Sequence, residues 1–372
     1  MNTLEKSLQE RAGAVFGFAQ QQVRDLIERD PGFYPMYTEQ GKWRHAKPAW
    51  THWCDGFLPG MMWAFARRTG DQYWVDQAMA YSTPLEPRKL DRDVHDLGFV
   101  FWSSYKRWFD LVGDEALNDV VVTGGQTMGL RFDQKGKFLR SFVAPESCFI
   151  DIMMNIGIIF YAAQLTGDDD LLHRVTEHCL TTRRYLMRGD GSTSHEGIFD
   201  LETGEFVRQS THQGWRDDSS WARGQAWAIY GFGTAYRFSG DPRFLDAAER
   251  CADFYIVRTD ESGIPPNDWE EPNPIRPWES SAAAITASGL FQLSELTPSL
   301  ERTIAYRHYA LTIMATLLES EFVADQTPGW EGILKHGSYH ERLDLGVDES
   351  VMWGEYFFVE AVDKLLGAPG IQ

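Results

Sequence analysis

The segment "RRTGDQYW" at 67–74 places Gly and then Asp between two stretches with helical periodicity. Gly suits the left-handed residue that ends a helix, and Asp is a good N-cap for the helix that follows. The same pair recurs in "DLVGDEAL" (110–117), "QLTGDDDL" (164–171) and "RFSGDPRF" (237–244), and "ELTPSLER" (295–302) is a variant with Thr297 as the expected cap. These segments predict tight turns between successive helices.

The helices before these turns differ in polarity from the helices after them. Those before are apolar nearly all round, as in "IDIMMNIGIIFYAAQL", and those after are amphipathic, as in "PRFLDAAERCADFYIV". This contrast is typical of an inner and an outer ring. The predicted inner helices are 50–69, 96–112, 149–166, 221–239, 279–296 and 348–366, and their outer partners are 71–83, 114–130, 168–187, 241–258, 299–320 and, from the other end of the chain, 4–29.

Six helical hairpins of this kind predict an all-α fold, an (α/α)6 toroid that forms a single domain over residues 1–372. An open α-solenoid is the alternative architecture. The six-fold count and the pairing of the two chain ends favour a closed ring. In such a ring the N-termini of the inner helices share one face with the long loops 131–147, 188–220, 259–278 and 321–347.

The composition bounds the partners and the compartment. The 372 residues carry a net charge of −19 and no stretch that gathers Lys and Arg, which argues against nucleic acid and anionic membranes as partners. The N-terminus has no apolar signal core, and no run approaches the ~18 apolar residues that a membrane helix needs. Four widely spaced cysteines without a CxxC motif indicate neither a zinc ribbon nor a disulfide framework. We therefore expect a reduced, cytoplasmic protein.

Polar residues collect where the inner helices begin, and we expect them to surround one cavity. Asp151 is unusual because it interrupts the apolar run "CFIDIMM" at 148–154, where an ionised carboxylate is costly. We expect desolvation to raise its pKa towards that of a working general acid, and Asp96 to stay ionised in a more polar setting beside His95. The full set is Trp50, Asp55, His95, Asp96, Asp151, Asp217, Asp218, Arg223, Glu279 and Glu349.

Structural roles compete with these functional ones. Asp96 could cap the helix that follows it, and Asp151 could form a buried salt bridge with Arg223. Asp217 and Asp218 precede two serines and are more typical of helix caps than of chemistry.

The motif search excludes several kinds of site. No HxxxH or HExxH motif falls on a predicted helix, and the chain has no P-loop, no GxGxxG after a strand and no GxSxG motif, so we expect no metal site and no organic cofactor. Carboxylates, histidines, one arginine and many aromatic rings remain around the ring cavity, and that set fits acid/base chemistry on a carbohydrate.

Six strings then reveal a family resemblance. "WTHWCDGFLPGMMW", "HDLGF", "FIDIMMN", "DDSSWARGQAWAIYGF", "ESSAAAI" and "VMWGEYFFVEA" together resemble the unsaturated glucuronyl hydrolases, glycoside hydrolase family 88, in the family's order from about Trp50 to Ala361. The resemblance implies the same (α/α)6 fold. It also implies an enzyme that acts on lyase-generated oligosaccharides and removes their non-reducing-end Δ4,5-unsaturated uronic acid by hydrating the C4=C5 vinyl ether.

The resemblance also implies roles for individual residues. Asp151 matches the general acid/base that protonates C4 and assists water at C5, and Asp96 matches the second essential carboxylate. Glu279 stands where the family more usually carries Asp, which leaves its role open. The leaving sugar is expected to meet loops such as 321–347, through Ser338 and Arg342. The implied substrate-binding residues are Trp50, His95, His195, His212, Gln213, Arg223, Trp227 and Tyr339.

Three other functions stay open at this stage. The related unsaturated rhamnogalacturonyl hydrolase family shares the fold and chemistry, although "FIDIMMN" fits it less well. An inactive toroid could bind sugar or act as a scaffold, and it would need no carboxylate pair. An epimerase or an inverting hydrolase could use the same fold, but an epimerase would want a His pair that the spacing does not supply. The parent polysaccharide (glycosaminoglycan, gellan, xanthan or ulvan), tolerance of sulfate, and a monomeric or dimeric state are also open.

Overall fold

The computed structural model describes residues 3–48, 50–272 and 278–367. Its α-helices form an inner and an outer ring. The inner ring consists of α2, the α4–α5 pair, α7, α9, α11 and α13, and the remaining helices lie outside it. In chain order the helices are α1 (Thr3–Arg29), α2 (Phe57–Thr69), α3 (Gln72–Ser82), α4 (Leu97–Phe101), α5 (Tyr105–Val112), α6 (Glu115–Gly129), α7 (Ile156–Thr166), α8 (Asp169–Tyr185), α9 (Ala222–Ser239), α10 (Pro242–Arg258), α11 (Ser280–Leu296), α12 (Leu300–Leu317) and α13 (Met352–Leu365).

The inner ring is closed. Going round it, α2 packs against α5, α4 against α7, α7 against α9, α9 against α11, α11 against α13, and α13 against α2. The N-terminal helix α1 lies outside the junction between α13 and α2 and contacts both. The predicted (α/α)6 toroid is therefore confirmed, and the open solenoid is excluded.

The Gly-Asp turns have the predicted geometry. Gly70, Gly113, Gly167 and Gly240 end their helices with φ between 66° and 71°. The aspartate after each glycine caps the next helix by accepting a backbone N–H at 2.9–3.0 Å. The fifth turn differs, because Ser299 caps α12 and Thr297 ends α11 in an extended conformation. Pro298 disfavours the helical region for Thr297 and so ends α11 there, while the N-cap of α12 is Ser299, whose hydroxyl accepts the N–H of Arg302.

Two inner helices are interrupted where one continuous helix was expected. The predicted helix 96–112 breaks between α4 and α5, where the Ser104 hydroxyl donates to the carbonyl of Val100 at 2.6 Å and competes with the helical ladder. The predicted helix 149–166 starts with a 3₁₀ segment, Ile150–Met154, before α7. Asp151 therefore lies on a tight turn at the mouth of the ring rather than inside an α-helix.

Short antiparallel strands organise the loops. The strands are β1 (Thr38–Glu39), β2 (Lys42–Trp43), β3 (Phe132–Asp133), β4 (Phe138–Leu139), β5 (Ser147–Phe149), β6 (Glu196–Phe199), β7 (Phe206–Ser210), β8 (Gly337–His340) and β9 (Leu345–Glu349). The order β5–β6–β7 makes one three-stranded sheet, and in it Phe149 is paired with Glu196. The hairpin β8–β9 carries Tyr339 and His340. The helical periodicity gave no signal for these strands because each is only two to five residues long.

All four cysteines are free and buried. Among the residues that the structure describes, no helix combines the length and the apolar character needed to cross a membrane.

The 3₁₀ segment that carries Asp151 packs tightly on α9 at Gly231. A Cβ atom at Gly231 would lie 2.5 Å from the carbonyl oxygen of Met153 and 2.6 Å from its Cβ. Gly231 is therefore required for close contact between α9 and this segment.

We expect Gly231→Ala to lower the free energy of unfolding by about 1–3 kcal/mol, because the backbone of Met153 must move. Gly13→Ala is the matched control, since a Cβ there meets nothing within 4 Å on an exposed position of α1. That change should be neutral or stabilising by up to ~1 kcal/mol. Urea unfolding measures both variants, and equal effects in the two would contradict the packing argument.

Candidate active site

A cavity of about 520 Å³ lies at the end of the ring where the inner helices begin. Of the two catalytic and eight substrate-binding residues implied by the resemblance, eight line it. Of the ten residues expected around the cavity from the helix starts, five do, namely Trp50, His95, Asp96, Asp151 and Arg223. The complete lining is Trp50, Thr51, Trp53, His95, Asp96, Phe99, Phe142, Val143, Phe149, Asp151, His212, Gln213, Arg223, Tyr339 and His340. The inner-helix starts and the long loops thus meet at one cavity, as the sequence predicted.

Two predicted substrate contacts lie behind the cavity wall. The ring of His195 is wholly buried next to Asp151. Trp227 is 1% exposed and packs between Phe99 and Phe357, at ring distances of 5.2 and 5.5 Å. Trp227 does not line the cavity, and its ring packs on that of Phe99, which does, so the structure places Trp227 behind the cavity wall.

The protonation of His195 is fixed by the loop that covers it. Its Nδ1 accepts hydrogen bonds from the backbone N–H groups of His212 and Gln213, at 3.1 and 3.3 Å. An acceptor nitrogen carries no proton, so the ring is neutral and its proton lies on Nε2. That Nε2 lies 3.5 Å from Oδ2 of Asp151, at the outer limit of hydrogen bonding, and neither atom has a closer hydrogen-bond partner among the described residues. His195 therefore directs an N–H towards the Asp151 carboxylate.

His95 repeats the arrangement at the second carboxyl group. Its Nδ1 accepts the backbone N–H of Phe142 at 3.0 Å, and its Nε2 lies 3.4 Å from Oδ1 of Asp96. Burial lowers the pKa of His95 to about 3, so this ring is also neutral. Each carboxyl group at the site thus faces the Nε2–H of one buried, neutral histidine.

The two carboxyl groups have opposite pKa shifts. Burial, reinforced by the charge of Asp151, raises the pKa of Asp96 well above its usual range. Burial also tends to raise the pKa of Asp151, but the interaction with His195, followed by smaller contributions from His95 and Arg223, outweighs it and holds that pKa below its usual value. The pKa of Asp96 therefore lies above that of Asp151, and Asp151 is the first of the two to ionise.

This order reverses the expectation from sequence. The apolar neighbours of Asp151 suggested a raised pKa, but its side chain is 16% exposed to the cavity and has His195 as a donor. The Asp96 side chain, expected in a polar setting, is only 4% exposed. It makes no capping hydrogen bond to α4, so the capping role proposed for Asp96 is not realised.

Asn155 connects the two carboxyl segments. Its Nδ2 donates to Oδ1 of Asp96 and to the backbone carbonyl of Asp151, both at 3.3 Å. Its Oδ1 accepts the backbone N–H of Phe99 at 2.7 Å. The buried amide therefore ties the start of α4 to the 3₁₀ segment.

Arg223 does not pair with Asp151. Its guanidinium donates to the backbone carbonyls of Ser338 and Tyr339 and to Oε1 of Gln213. It also lies 4.3 Å from the centre of the Trp221 ring. Because its partners at these contacts are neutral, the charge of Arg223 remains available to an anion in the cavity.

His212 is a second source of positive charge at the cavity. Its Nε2 lies 3.3 Å from Oε2 of the buried Glu196, and this hydrogen bond raises the pKa of His212. Ser147 donates to the other oxygen of Glu196 at 2.5 Å. Glu196 therefore favours the imidazolium form of a half-exposed side chain that faces the cavity.

Glu279 has a structural role. Its carboxylate caps α11 by accepting the N–H of Ala282 at 2.7 Å, and it also accepts the N–H of Ser338 at 3.1 Å. Ser338 is itself buried, and neither it nor Arg342 lines the cavity, contrary to expectation. Within the loop 321–347, Tyr339 and His340 reach the cavity instead.

Four other acids expected at the rim also make structural contacts. Asp55 lies 3.3 Å from Arg88, and Glu349 accepts the hydroxyl of Thr38 at 2.6 Å. Asp217 and Asp218 are exposed and pair with nearby arginines, so neither is a site residue nor a helix cap.

An aromatic group forms one side of the entrance. Trp50 is 40% exposed, stacks on His340 at 5.7 Å and meets Tyr339 edge-on at 5.4 Å. Trp53 donates its indole N–H to the Tyr339 hydroxyl at 3.3 Å. Such flat, partly exposed rings suit the apolar face of a sugar.

Several lining residues were not predicted, although some had a signal in the sequence. Trp53, Phe99 and Phe149 stand inside or next to the quoted strings, and His340 follows Tyr339 directly. Phe142 and Val143 had no signal in the sequence, because they belong to a loop without a motif.

Metal ligands are a separate question. Within residues 3–48, 50–272 and 278–367, no group of three or more His, Cys, Asp and Glu is placed to hold a metal ion.

Comparisons with known proteins agree with this geometry. The family model "Glycosyl Hydrolase Family 88" matches residues 33–262. An unsaturated glucuronyl hydrolase of Bacillus sp. (strain GL1) is 31% identical over 372 residues, which cover 96% of each chain. The crystal structure of an unsaturated glucuronyl hydrolase specific for heparin superposes with a TM-score of 0.87 at 27% identity, covering 98% of this chain and 97% of the other.

A structure with bound sugar is also similar. A variant of the unsaturated glucuronyl hydrolase from Streptococcus agalactiae, in complex with dGlcA-GalNAc6S, has a TM-score of 0.82 at 25% identity, covering 96% of this chain and 92% of the other. The matched family model spans more than half of the chain, and the Bacillus enzyme matches nearly all of it. The chain belongs to glycoside hydrolase family 88 and is a glycosidase.

Proposed function

We propose that this enzyme removes the Δ4,5-unsaturated uronic acid from the non-reducing end of lyase-generated oligosaccharides by hydrating its C4=C5 double bond. The observation that carries the proposal is that two carboxyl groups with pKa shifts of opposite direction, Asp96 and Asp151, face one cavity. The names of its relatives support the substrate, since they act on unsaturated glucuronyl groups.

Substrate binding prepares Asp151 for proton transfer. The uronate carboxylate is drawn to the positive side of the cavity, where Arg223 and His212 face it. Its negative charge raises the pKa of Asp151, which is exposed enough to take up a proton from solvent. Asp96 keeps its proton, donates a hydrogen bond to a ring hydroxyl and adds no repulsive charge.

Hydration then proceeds in two proton transfers. Asp151 gives its proton to C4, and a cation develops at C5 and the ring oxygen. The Asp151 carboxylate left behind stabilises this cation and accepts a proton from the water that attacks C5. The hemiketal that results opens and releases the glycosidic bond. The separation of the carboxyl groups therefore does not distinguish retention from inversion here.

The Nε2–H of His195 gives Asp151 this reactivity. A hydrogen bond donated to a carboxylate favours its ionised form, so Asp151 returns readily to the charged state after each proton transfer. We therefore assign His195 to positioning Asp151 rather than to binding sugar, as its burial behind Asp151 requires.

We extend the proposal to the whole chain. We propose a single catalytic domain over 1–372, in a cytoplasmic protein that acts as a monomer or dimer and needs no cofactor. Unsaturated uronic-acid-containing oligosaccharides are its partners, and nucleic acid and membranes are not. The closed ring supports the single domain. The net charge of −19 supports the exclusion of nucleic acid and anionic membranes as partners.

We expect Asp151→Asn to lower kcat on an unsaturated disaccharide by about 10²–10⁴-fold, since the amide can neither give nor take the proton. Turnover is followed by the loss of ultraviolet absorbance of the conjugated double bond. Asp217→Asn is the matched control, because the same change at this exposed, ion-paired rim residue should leave kcat unchanged.

Circular dichroism is the folding control for both variants. A folded Asp151→Asn protein with the turnover of the parent would show that Asp151 is structural.

The raised pKa of Asp96 predicts a pH dependence of uronate binding. Below this pKa Asp96 is neutral, and above it the ionised group repels the anionic sugar, so affinity should fall about tenfold or more as pH rises through it. Asp96→Asn stays neutral at every pH, so it should lose turnover and the part of the decline that Asp96 causes, leaving only the part that follows from deprotonation of His212. Calorimetric titration with saturated glucuronate measures both proteins. The same decline in the variant would assign the titration to another group.

A further inference from the structure

A second pocket of about 410 Å³ adjoins the catalytic cavity. The two share Phe142 and Val143, which form the wall between them. Among the charged groups that line this second pocket, three are cationic, Arg92, Arg131 and Arg140, and one is anionic, Asp93. We refer to it as the arginine pocket. Three clustered arginines are unexpected in a protein of net charge −19.

Arg131 organises the arginine pocket without losing its charge to an acid. Its Nε donates to the backbone carbonyl of Arg140 at 2.8 Å, and its Nη2 donates to that of Ser141 at 2.5 Å. Its Nη1 donates to the carbonyl of Arg92. The guanidinium thus fixes the two segments that carry the other arginines, and all three partners are neutral.

Arg140 and Arg92 retain hydrogen-bonding capacity. Arg140 Nε is enclosed and has no hydrogen-bond partner among the described residues, while its Nη2 forms an ion pair with Asp133 at 3.6 Å, too long for a direct hydrogen bond. Arg92 is exposed, and its side chain makes no ion pair with any other described residue. The acid on the same side, Asp91, lies 3.7 Å from Arg88. An enclosed donor without a partner favours an oxyanion ligand.

We propose that the arginine pocket binds an oxyanion group, a sulfate ester or a carboxylate, on the leaving side of the oligosaccharide. This inference rests on the proposed function, which places the unsaturated sugar beside Asp96 and Asp151. A chain that leaves the cavity across Phe142 and Val143 reaches the arginines next. Guanidinium groups bind both oxyanions through paired N–H donors, and they give the protein a local attraction that its net charge opposes.

The geometry therefore points to an acidic oligosaccharide as the substrate class. The pocket adds an interaction that an uncharged leaving sugar does not make. A sulfate on the leaving sugar and a carboxylate on a uronate further along the chain are its two possible sources, and substrates of matched structure distinguish them.

The test compares three substrates in the parent and in the double variant Arg92→Gln/Arg140→Gln. They are an unsaturated disaccharide, the same disaccharide with a sulfate on the leaving sugar, and an unsaturated tetrasaccharide with a second uronate. We expect kcat/KM of the parent to be about tenfold higher for at least one charged substrate than for the disaccharide with an uncharged leaving sugar. This preference should be lost in the double variant and reduced by added salt. Both proteins should turn over the disaccharide with the uncharged leaving sugar equally well.

Arg208→Gln is the control, because it removes an exposed arginine from β7, away from the arginine pocket. It should leave the preference intact. Equal kcat/KM of the parent on all three substrates, or a loss of preference in Arg208→Gln, would overturn the proposal.

Equilibrium binding separates this proposal from the proposed function. The same three sugars are titrated into Asp151→Asn protein, with and without the two glutamine substitutions. Binding that depends on sulfate or uronate and on both arginines supports the arginine pocket, whether or not the parent enzyme turns over any of the substrates. Absence of turnover would contradict only the proposed function. Binding that ignores the arginines overturns the pocket even if turnover is as proposed.

Discussion

Two carboxyl groups that share a buried cavity cannot both keep a full negative charge, and the arrangement of the site follows from this constraint. Asp96 is the more enclosed, and burial together with the charge of Asp151 raises its pKa. Asp151 faces the cavity and the Nε2–H of His195, and this interaction lowers its pKa, so it is the first of the two to ionise. The free enzyme is thereby prepared for an anionic substrate, because only one of the two acids repels it. The pair is best regarded as one coupled titrating unit.

The ring and the loops contribute different parts of this unit. Closure of six hairpins brings the starts of α4, α7 and α9 together, and Gly231 and Asn155 hold them at close range. The loops then decide where the protons lie, because backbone N–H groups from Phe142 and from the His212 segment occupy Nδ1 of each histidine. The loop around Phe142 also forms the wall of the arginine pocket. Proton placement and the proposed recognition of the leaving sugar therefore depend on the same segment.

Sequence was sufficient for the fold, because the fold follows from local patterns, but for only part of the cavity lining. Gly-Asp turns and the contrast between apolar and amphipathic helices are local, and they predicted the ring. The resemblance then identified most of the cavity lining. The pKa values could not be predicted this way, because the neighbours of Asp151 in sequence are apolar while its neighbour in space is His195, about forty residues later in the chain. Trp227 shows the same limit, since only packing reveals Phe99 between it and the cavity.

Neutron crystallography of the substrate-free enzyme at neutral pD tests the central claim most directly, because it locates each exchangeable deuteron. The account predicts a deuteron on the carboxyl group of Asp96, none on Asp151, and deuterons on Nε2 but not Nδ1 of His95 and His195. A deuteron on Asp151 with Asp96 ionised would contradict the charge assignment. A deuteron on Nδ1 of either histidine would contradict the hydrogen bonds on which that assignment rests.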